Sequence, residues 1–128
     1  MSNYLKTEQL SDLQAKINKG LPVILKIGHN GCPPCIKIAP VIKKVAQSVP
    51  DITFIDYDIS FFKTRPPTPE EDYFLNNLKF RSVPHFIMYY NGLIYNHNSP
   101  SIYALIRAED SLGLKDLLPK VNNSEGAE

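Results

Sequence analysis

The feature that most constrains the fold is a short apolar strand that passes through a glycine turn into an amphipathic helix. Residues 23–27 are nearly all apolar and β-branched, which is typical of a central strand buried on both faces of a sheet. After the turn at 28–31, apolar residues recur with helical spacing as far as Val49. A second apolar strand follows at 52–59. The order strand, helix, strand predicts a right-handed parallel crossover.

Two further elements flank this unit. A strand at 3–6 is expected to lead into a helix, with Thr7 as its N-cap and Gly20 as its C-cap. Beyond the crossover, residues 60–72 carry several prolines and predict a loop, and a helix is expected from about 70 to 78.

The last third of the chain predicts a hairpin and a helix. Asn91-Gly92 separates two apolar runs at 86–90 and 93–97, and this dipeptide favours a type I′ turn. Residues 102–118 predict a helix that breaks at Gly113. Within the crossover helix, Pro40 removes a backbone donor and predicts a kink.

Length and charge narrow the class of protein. With 128 residues the chain fits a single domain, predicted over 1–121, and the polar residues 122–128 predict a disordered tail. Its 14 basic and 13 acidic side chains are well mixed, so neither a nucleic-acid surface nor an acidic tail is expected. No apolar run approaches the ~20 residues of a membrane span, and the first residues lack the apolar core of a signal peptide. The expectation is a cytoplasmic monomer with no membrane partner.

The two cysteines, Cys32 and Cys35, are too close in sequence to serve as a disulfide scaffold. Their spacing indicates redox chemistry or half of a metal site. A zinc site built from the two cysteines and His29 or His85 would need a fourth ligand, and the chain has no second Cys pair and no His-x-His cluster to supply it. A metal cluster shared between two chains stays open. We therefore expect no metal and no cofactor.

The position of the pair predicts reactivity. Cys32 lies where a buried strand gives way to the first turn of a helix, whose unpaired N–H groups and dipole lower the pKa of a thiol. Cys35 follows one helical turn later, within reach of a mixed disulfide formed at Cys32. Neither Pro33 nor Pro34 has an N–H, which limits the donors available to the thiolate. Cys32 is thus the expected attacking residue and Cys35 the resolving one.

Three segments together resemble the thioredoxin family. Residues 32–40, Cys-Pro-Pro-Cys-Ile-Lys-Ile-Ala-Pro, resemble its active-site segment, a Cys-x-x-Cys followed by a proline-kinked helix. Residues 82–84, Ser-Val-Pro, are similar to its cis-proline motif, and Asn91-Gly92 matches its hairpin turn. The resemblance extends from about residue 3 to residue 118 with the elements in the same order.

This resemblance implies an α/β thioredoxin fold: a central mixed β-sheet flanked by helices, here with an insertion after the second parallel strand. It implies a thiol–disulfide oxidoreductase that acts on disulfide-containing proteins, as a reductant in a cytoplasmic setting, and that is reset by a reductase or other redox partner. It also implies that Pro84 packs against the cysteine pair and that the Val83 backbone binds an extended substrate segment. The residues expected to bind substrate are Gly31, Pro33, Pro34, Val83 and Pro84.

The chain departs from the family at two positions near the cysteines. The family usually has an acidic residue six positions before the first cysteine, and this chain has Lys26. Two alternatives stay open: a cation or neutral amine that tunes Cys35, or a lysine whose head reaches solvent. The usual tryptophan before the first cysteine is Gly31. His85 is a further candidate for altering the cysteine pKa values.

These departures leave a second class of function open, a protein-binding module on the same scaffold with redox activity secondary. The insertion could supply the binding surface of such a module. Phe61 and Phe62 follow the second parallel strand, so they would emerge at the edge of the sheet where the cysteines lie. They either form part of a docking surface or fold back onto the core.

Overall fold

A computed structural model of the chain describes residues 3–119, so the tail predicted at 122–128 lies outside the described residues. The five strands are β1 (Tyr4–Thr7), β2 (Val23–Gly28), β3 (Thr53–Asp58), β4 (His85–Tyr90) and β5 (Leu93–Asn96). The helices are α1 (Leu10–Ile17), α2 (Pro33–Ala46), α3 (Pro69–Leu78), α4 (Ser99–Arg107) and α5 (Ser111–Lys115), with a 3₁₀ turn at Ser60–Lys63. None of the helices in this range is long and apolar enough to cross a membrane.

The strands form one mixed sheet in the order β1-β3-β2-β4-β5. Strands β1, β3 and β2 are parallel, which confirms the predicted crossover through α2. Strand β4 pairs antiparallel with β2, and β5 antiparallel with β4. The hairpin turn has positive φ at both central residues, 56° at Asn91 and 77° at Gly92, as a type I′ turn requires. The predicted mixed sheet flanked by helices is confirmed.

Every residue of β2 is buried, because helices cover both faces of the sheet at its centre. On one face, α1 and α3 pack through Leu13, Ile17 and Leu75 against alternate residues of β2 and β3. On the other face, α2, α4 and α5 pack through a second apolar cluster that includes Ile42 and Ile106. Helix α2 continues through Pro40 to Ala46, so the proline does not end it.

The ends of α1 differ from the sequence prediction. The helix begins at Leu10 and its N-cap is Gln9, not Thr7, although the Thr7 hydroxyl still accepts the Gln9 N–H at 2.9 Å. At the other end Asn18 is the C-cap rather than Gly20. Gly20 lies two residues later with φ of +83°, where it reverses the chain toward β2.

The predicted break at Gly113 is also wrong. The helical segment starts at Ser99 and is interrupted earlier, between Arg107 and Ser111, and Gly113 lies inside α5. Glu109 has φ of +53°, and the Asp110 carboxylate then accepts the Gly113 N–H at 2.8 Å. The break follows from this second N-cap, since a capping aspartate begins a new helix.

The insertion predicted as a loop over 60–72 is more ordered than expected. It opens with the 3₁₀ turn, and α3 already begins at Pro69. Thr68 and Glu71 form a capping box in which each side chain accepts the backbone N–H of the other. Of the two phenylalanines in the insertion, Phe61 folds back onto the core, as one alternative predicts, whereas Phe62 is 45% exposed.

Glu71 makes the start of α3 sensitive to pH. The Arg65 guanidinium donates to both of its carboxylate oxygens, at 2.8 and 2.9 Å, and this contact lowers the pKa of Glu71 to about 2. Because the folded pKa lies below the unfolded value of 4.5, the stabilisation is complete above that pH and is lost as pH falls toward 2. Glu71→Gln is therefore expected to lower the urea midpoint at pH 7 and to match wild type near pH 2.

The control for this prediction is Glu70→Gln in the same helical turn, where the side chain is exposed. Its midpoint should follow wild type throughout. A Glu71→Gln deficit of constant size between neutral and acid pH would contradict the assignment.

Candidate active site

The two cysteines lie at the N-terminus of α2 and are joined by a disulfide, with their Cα atoms 5.2 Å apart. Cys32 is the N-cap, in extended conformation, and its Sγ accepts the Cys35 N–H at 3.2 Å. Pro33 and Pro34 occupy the first two helical positions, where a missing N–H breaks no intrahelical bond. The Cys35 amide is consequently the donor that this helix end directs at the Cys32 sulfur. Cys32 is 6% exposed and Cys35 is 2% exposed.

The predicted proline motif lies against the first cysteine. The Val83–Pro84 peptide is cis, and the Val83 carbonyl oxygen is 3.6 Å from Cys32 Sγ. Both residues are half-buried, as is His85 at the start of β4. Burial lowers the pKa of His85, whose ring lies beside the Phe80 ring with centroids 5.7 Å apart. The structure thus brings Val83 to Cys32, and it gives His85 an aromatic neighbour.

Lys26 does not reach solvent. It lies in the centre of β2, is 4% exposed, and its ammonium donates to the Cys35 carbonyl oxygen at 2.8 Å. The same Nζ atom is 3.1 Å from Asp56 Oδ2, so the cation is paired inside the protein. Of the two alternatives left by the sequence, the solvent-exposed lysine is therefore wrong, and Lys26 directly contacts the residue it was expected to influence.

Asp56 is the site residue that sequence reasoning missed. It pairs with Lys26 in the parallel register of β2 and β3, is 3% exposed, and also accepts the Tyr4 hydroxyl at 3.2 Å. Burial and the neighbouring carboxylate raise the pKa of Tyr4. A signal was present: each of two adjacent, otherwise apolar parallel strands carries one central charge, and the two charges are opposite. Buried charges of that kind need each other.

Gly28 lets the lysine approach the cysteine so closely. A Cβ atom at this position would lie 3.0 Å from Cys35 Sγ and 3.2 Å from Lys26 Cε. A pocket of about 130 Å³ opens over the same atoms and is lined by Lys26, Cys35, Asp56 and His29 among others. A pocket of that size, with charged and polar side chains in its lining, has room for water.

The space before Cys32, where the family usually has a large ring, is bordered by a cation. A Cβ atom on Gly31 would lie 2.9 Å from Lys63 Nζ, which hydrogen-bonds to the Asn30 side-chain oxygen. The Asn30 N–H in turn donates to the Ser60 hydroxyl at 2.8 Å. The insertion thus contacts the turn that precedes the attacking cysteine. Across residues 3–119, no three His, Cys, Asp or Glu side chains cluster as metal ligands.

Comparison with known proteins agrees with this geometry. No protein-family model matches the chain. Thioredoxin-3 of Dictyostelium discoideum is 31% identical over 86 residues, which cover 67% of this chain and 74% of that protein. The oxidised thioredoxin of Plasmodium falciparum superposes with a TM-score of 0.60 at 21% identity, over 82% of this chain and 96% of that one. The long form of thioredoxin f from spinach chloroplast gives 0.58 at 21% identity, over 83% and 85%.

The mixed sheet and the cysteine pair at a helix N-terminus define a thioredoxin-fold protein. The relative from Dictyostelium makes the assignment specific: the chain belongs to the thioredoxin family. It is a thiol–disulfide oxidoreductase whose Cys32–Cys35 pair is placed to form and break a disulfide, and its general partners are disulfide-containing proteins and a reductase.

Proposed function

We propose that the chain is a protein-disulfide reductase in which Cys32 attacks, Cys35 resolves, and the buried Lys26–Asp56 pair adjusts the charge around Cys35. The observation that carries the proposal is the position of Cys32 as the N-cap of α2 with Cys35 one turn later. The roles of the two sulfurs and the direction of electron flow are finer parts of the proposal, and the contacts around the pair support them.

Cys32 has the features of the attacking thiolate. It ends the buried strand–turn unit at the positive end of α2, where the dipole and the Cys35 N–H stabilise a negative sulfur. The Val83 carbonyl lies 3.6 Å away and, in the proposal, pairs with the extended backbone of a bound partner. Gly31, Pro33 and Pro34 surround Cys32 with exposed surface on which the partner rests.

The reaction balances in two exchanges. The Cys32 thiolate attacks one sulfur of the partner disulfide, a mixed disulfide forms, and the other partner sulfur leaves as a thiolate. Cys35 then gives up its proton, attacks Cys32 Sγ, and releases the second partner thiolate. The partner gains two electrons and the Cys32–Cys35 pair loses them. A reductase returns two electrons to the pair before the next cycle.

The second exchange depends on a buried thiol that must lose a proton, and Lys26 and Asp56 lie next to it. The Lys26 ammonium, held at the Cys35 carbonyl, favours a negative sulfur nearby. Asp56 opposes that effect and keeps the buried pair neutral overall. The proton leaves through water in the pocket that opens over these side chains. His85, on β4, is proposed as a weaker influence, since burial lowers its pKa and so favours the uncharged ring.

The proposed direction is reduction of partners, by a monomer in the cytoplasm. Oxidants of this kind are strong when the reduced form is stabilised by thiolate contacts. Here two of the three residues after Cys32 are prolines without an N–H, which leaves the Cys32 thiolate with few donors. A less stabilised thiolate makes the reduced pair the better electron donor.

The test is the reduction potential, measured by equilibration with glutathione buffers and separation of the reduced and oxidised chains. A reductant is expected to lie below about −220 mV, on the reducing side of the protein disulfide isomerase value of about −180 mV. A value at or above −180 mV would reverse the proposed direction.

A further inference from the structure

A groove between α2 and α4, here called the α2–α4 groove, begins at the residue that follows the attacking cysteine. Pro33, Pro34, Lys37, Ile38 and Val41 line it from α2, and Tyr103 and Arg107 line it from α4. Its volume is about 340 Å³, enough for one or two side chains of a partner. Pro33 and Pro34, at one end of the groove, also belong to the surface on which the proposed partner rests, whereas the proposed redox reaction uses neither α4 nor Lys37, Ile38 and Val41.

The floor of the α2–α4 groove is apolar and fixed. Ile38 is buried and Val41 is half-buried, so both belong to the core that the two helices share. The Tyr103 ring is stacked on Phe86 of β4, with ring centroids 5.4 Å apart. A preformed apolar surface of this kind binds a side chain with little cost for ordering the protein.

The rim carries positive charge alone. Lys37 and Arg107 are the charged side chains that line the groove, and within the described range neither forms an ion pair. Arg107 lies over the Tyr103 ring at 4.6 Å from its centroid, which places a cation at the apolar floor. Farther along, Glu109 is already paired with Lys44 at 2.9 Å. In a chain of net charge +1 this is a local excess of cations.

We propose that the α2–α4 groove binds an acidic, apolar segment of the disulfide-bearing partner, next to the cysteine that Cys32 attacks. The proposal rests on the proposed function, because it is the position of Pro33 directly after Cys32 that brings a docked partner to the groove. Charge complementarity selects a carboxylate beside an aliphatic or aromatic side chain. Lys37 and Arg107 are then specificity-determining residues for the known reaction.

The experiment compares two synthetic peptides that share one internal disulfide and a Leu-Phe flank. One peptide carries two glutamates in the flank and the other carries two glutamines. The reduced protein is mixed with excess peptide, and the second-order rate of its oxidation is followed by quenching and chromatography. The glutamate peptide is expected to react about fivefold faster at low ionic strength, with the preference shrinking as salt screens the contacts.

Charge reversal at the rim is the decisive variant. K37E/R107E is expected to invert the preference, so that the glutamine peptide reacts faster. Because the readout is a ratio of two rates on one protein, a general loss of activity does not imitate it. K43E/K115E is the charge-matched control, since both lysines are exposed and neither lines the groove. An unchanged ratio in K37E/R107E, or an inverted one in K43E/K115E, would overturn the proposal.

A binding measurement tests this proposal independently of the reductase function. The C32S/C35S protein cannot exchange disulfides, and its affinity for a fluorescein-labelled glutamate peptide is measured by anisotropy against the glutamine peptide. A glutamate preference supports the groove even if the wild-type chain fails to reduce any disulfide. The opposite outcome is that the chain reduces the neutral hydroxyethyl disulfide but prefers neither peptide in the rate or the binding measurement. That outcome would overturn the proposed groove and leave the reductase function standing.

Discussion

Cys32→Ser is expected to reduce catalysed disulfide reduction to the background rate of dithiothreitol, whereas Cys35→Ser is expected to stop the reaction at a mixed disulfide. The asymmetry follows from position. Cys32 lies at the helix N-terminus beside the half-buried Val83, where a partner strand can reach it. Cys35 is 2% exposed, and its Sγ lies 3.0 Å from the position a Cβ on Gly28 would take. Cys32 is therefore the sulfur that we expect to meet a partner disulfide first.

The measurements are insulin reduction with dithiothreitol, followed by turbidity, and mass spectrometry of each reduced variant after incubation with insulin in the absence of dithiothreitol. The Cys35→Ser protein should carry a stoichiometric adduct on Cys32, and the Cys32→Ser protein should carry none. The two variants control each other, since each loses one sulfur and the native disulfide. Equal adduct formation by both variants would show that either cysteine can attack and would refute the assigned roles. Wild-type rates no higher than those of Cys32→Ser would favour a binding module instead.

The sequence predicted the parts of this site that are local in the chain. The turn, the two cysteines and the first turn of α2 are consecutive, so their geometry follows from the helix start itself. The hairpin at Asn91-Gly92 is likewise set by two residues with positive φ. These features need no knowledge of what packs against them.

The parts that the sequence missed depend on pairing between distant segments. Asp56 meets Lys26 because the register of β2 against β3 places them opposite each other, 30 residues apart. Likewise, Lys63 lies beside Gly31, where its ammonium hydrogen-bonds to the Asn30 side chain 33 residues away. Periodicity predicts that a strand is buried, but it does not give the register that chooses the partner of each side chain.

Helix ends failed for a related reason. Thr7 and Gly20 are residue types that commonly cap helices, yet α1 is shorter than they would allow. Its buried face extends only from Leu10 to Ile17, and the helix has the same limits. Between α4 and α5, the capping carboxylate of Asp110 decides the break, while Gly113 adapts to the helix. Several residues near a boundary are able to cap a helix, and packing decides which one does so.

Removing either member of the Lys26–Asp56 pair is expected to destabilise the fold by about 3–5 kcal/mol, because the remaining charge is left buried without its partner. The two side chains are 5% and 3% exposed, so neither can turn to water without moving the sheet. For a domain whose total stability is about 5–15 kcal/mol, this is a large share. Lys26→Met and Asp56→Asn should both show it in urea unfolding. The double variant should recover most of the loss, since it removes both charges.

The same two single variants and the double variant distinguish a redox role of the Lys26–Asp56 pair from a purely structural one. The single-turnover rate at which Cys35 releases the partner from a mixed disulfide is measured against pH for each variant. Without the Lys26 cation, the Cys35 thiolate loses a favourable neighbour, and half-maximal release should move to higher pH. Without the Asp56 carboxylate it should move to lower pH, and the double variant should lie between the two. Structural damage alone would shift both single variants in the same direction or would change only the maximal rate, and either result would limit the pair to holding β2 and β3 together.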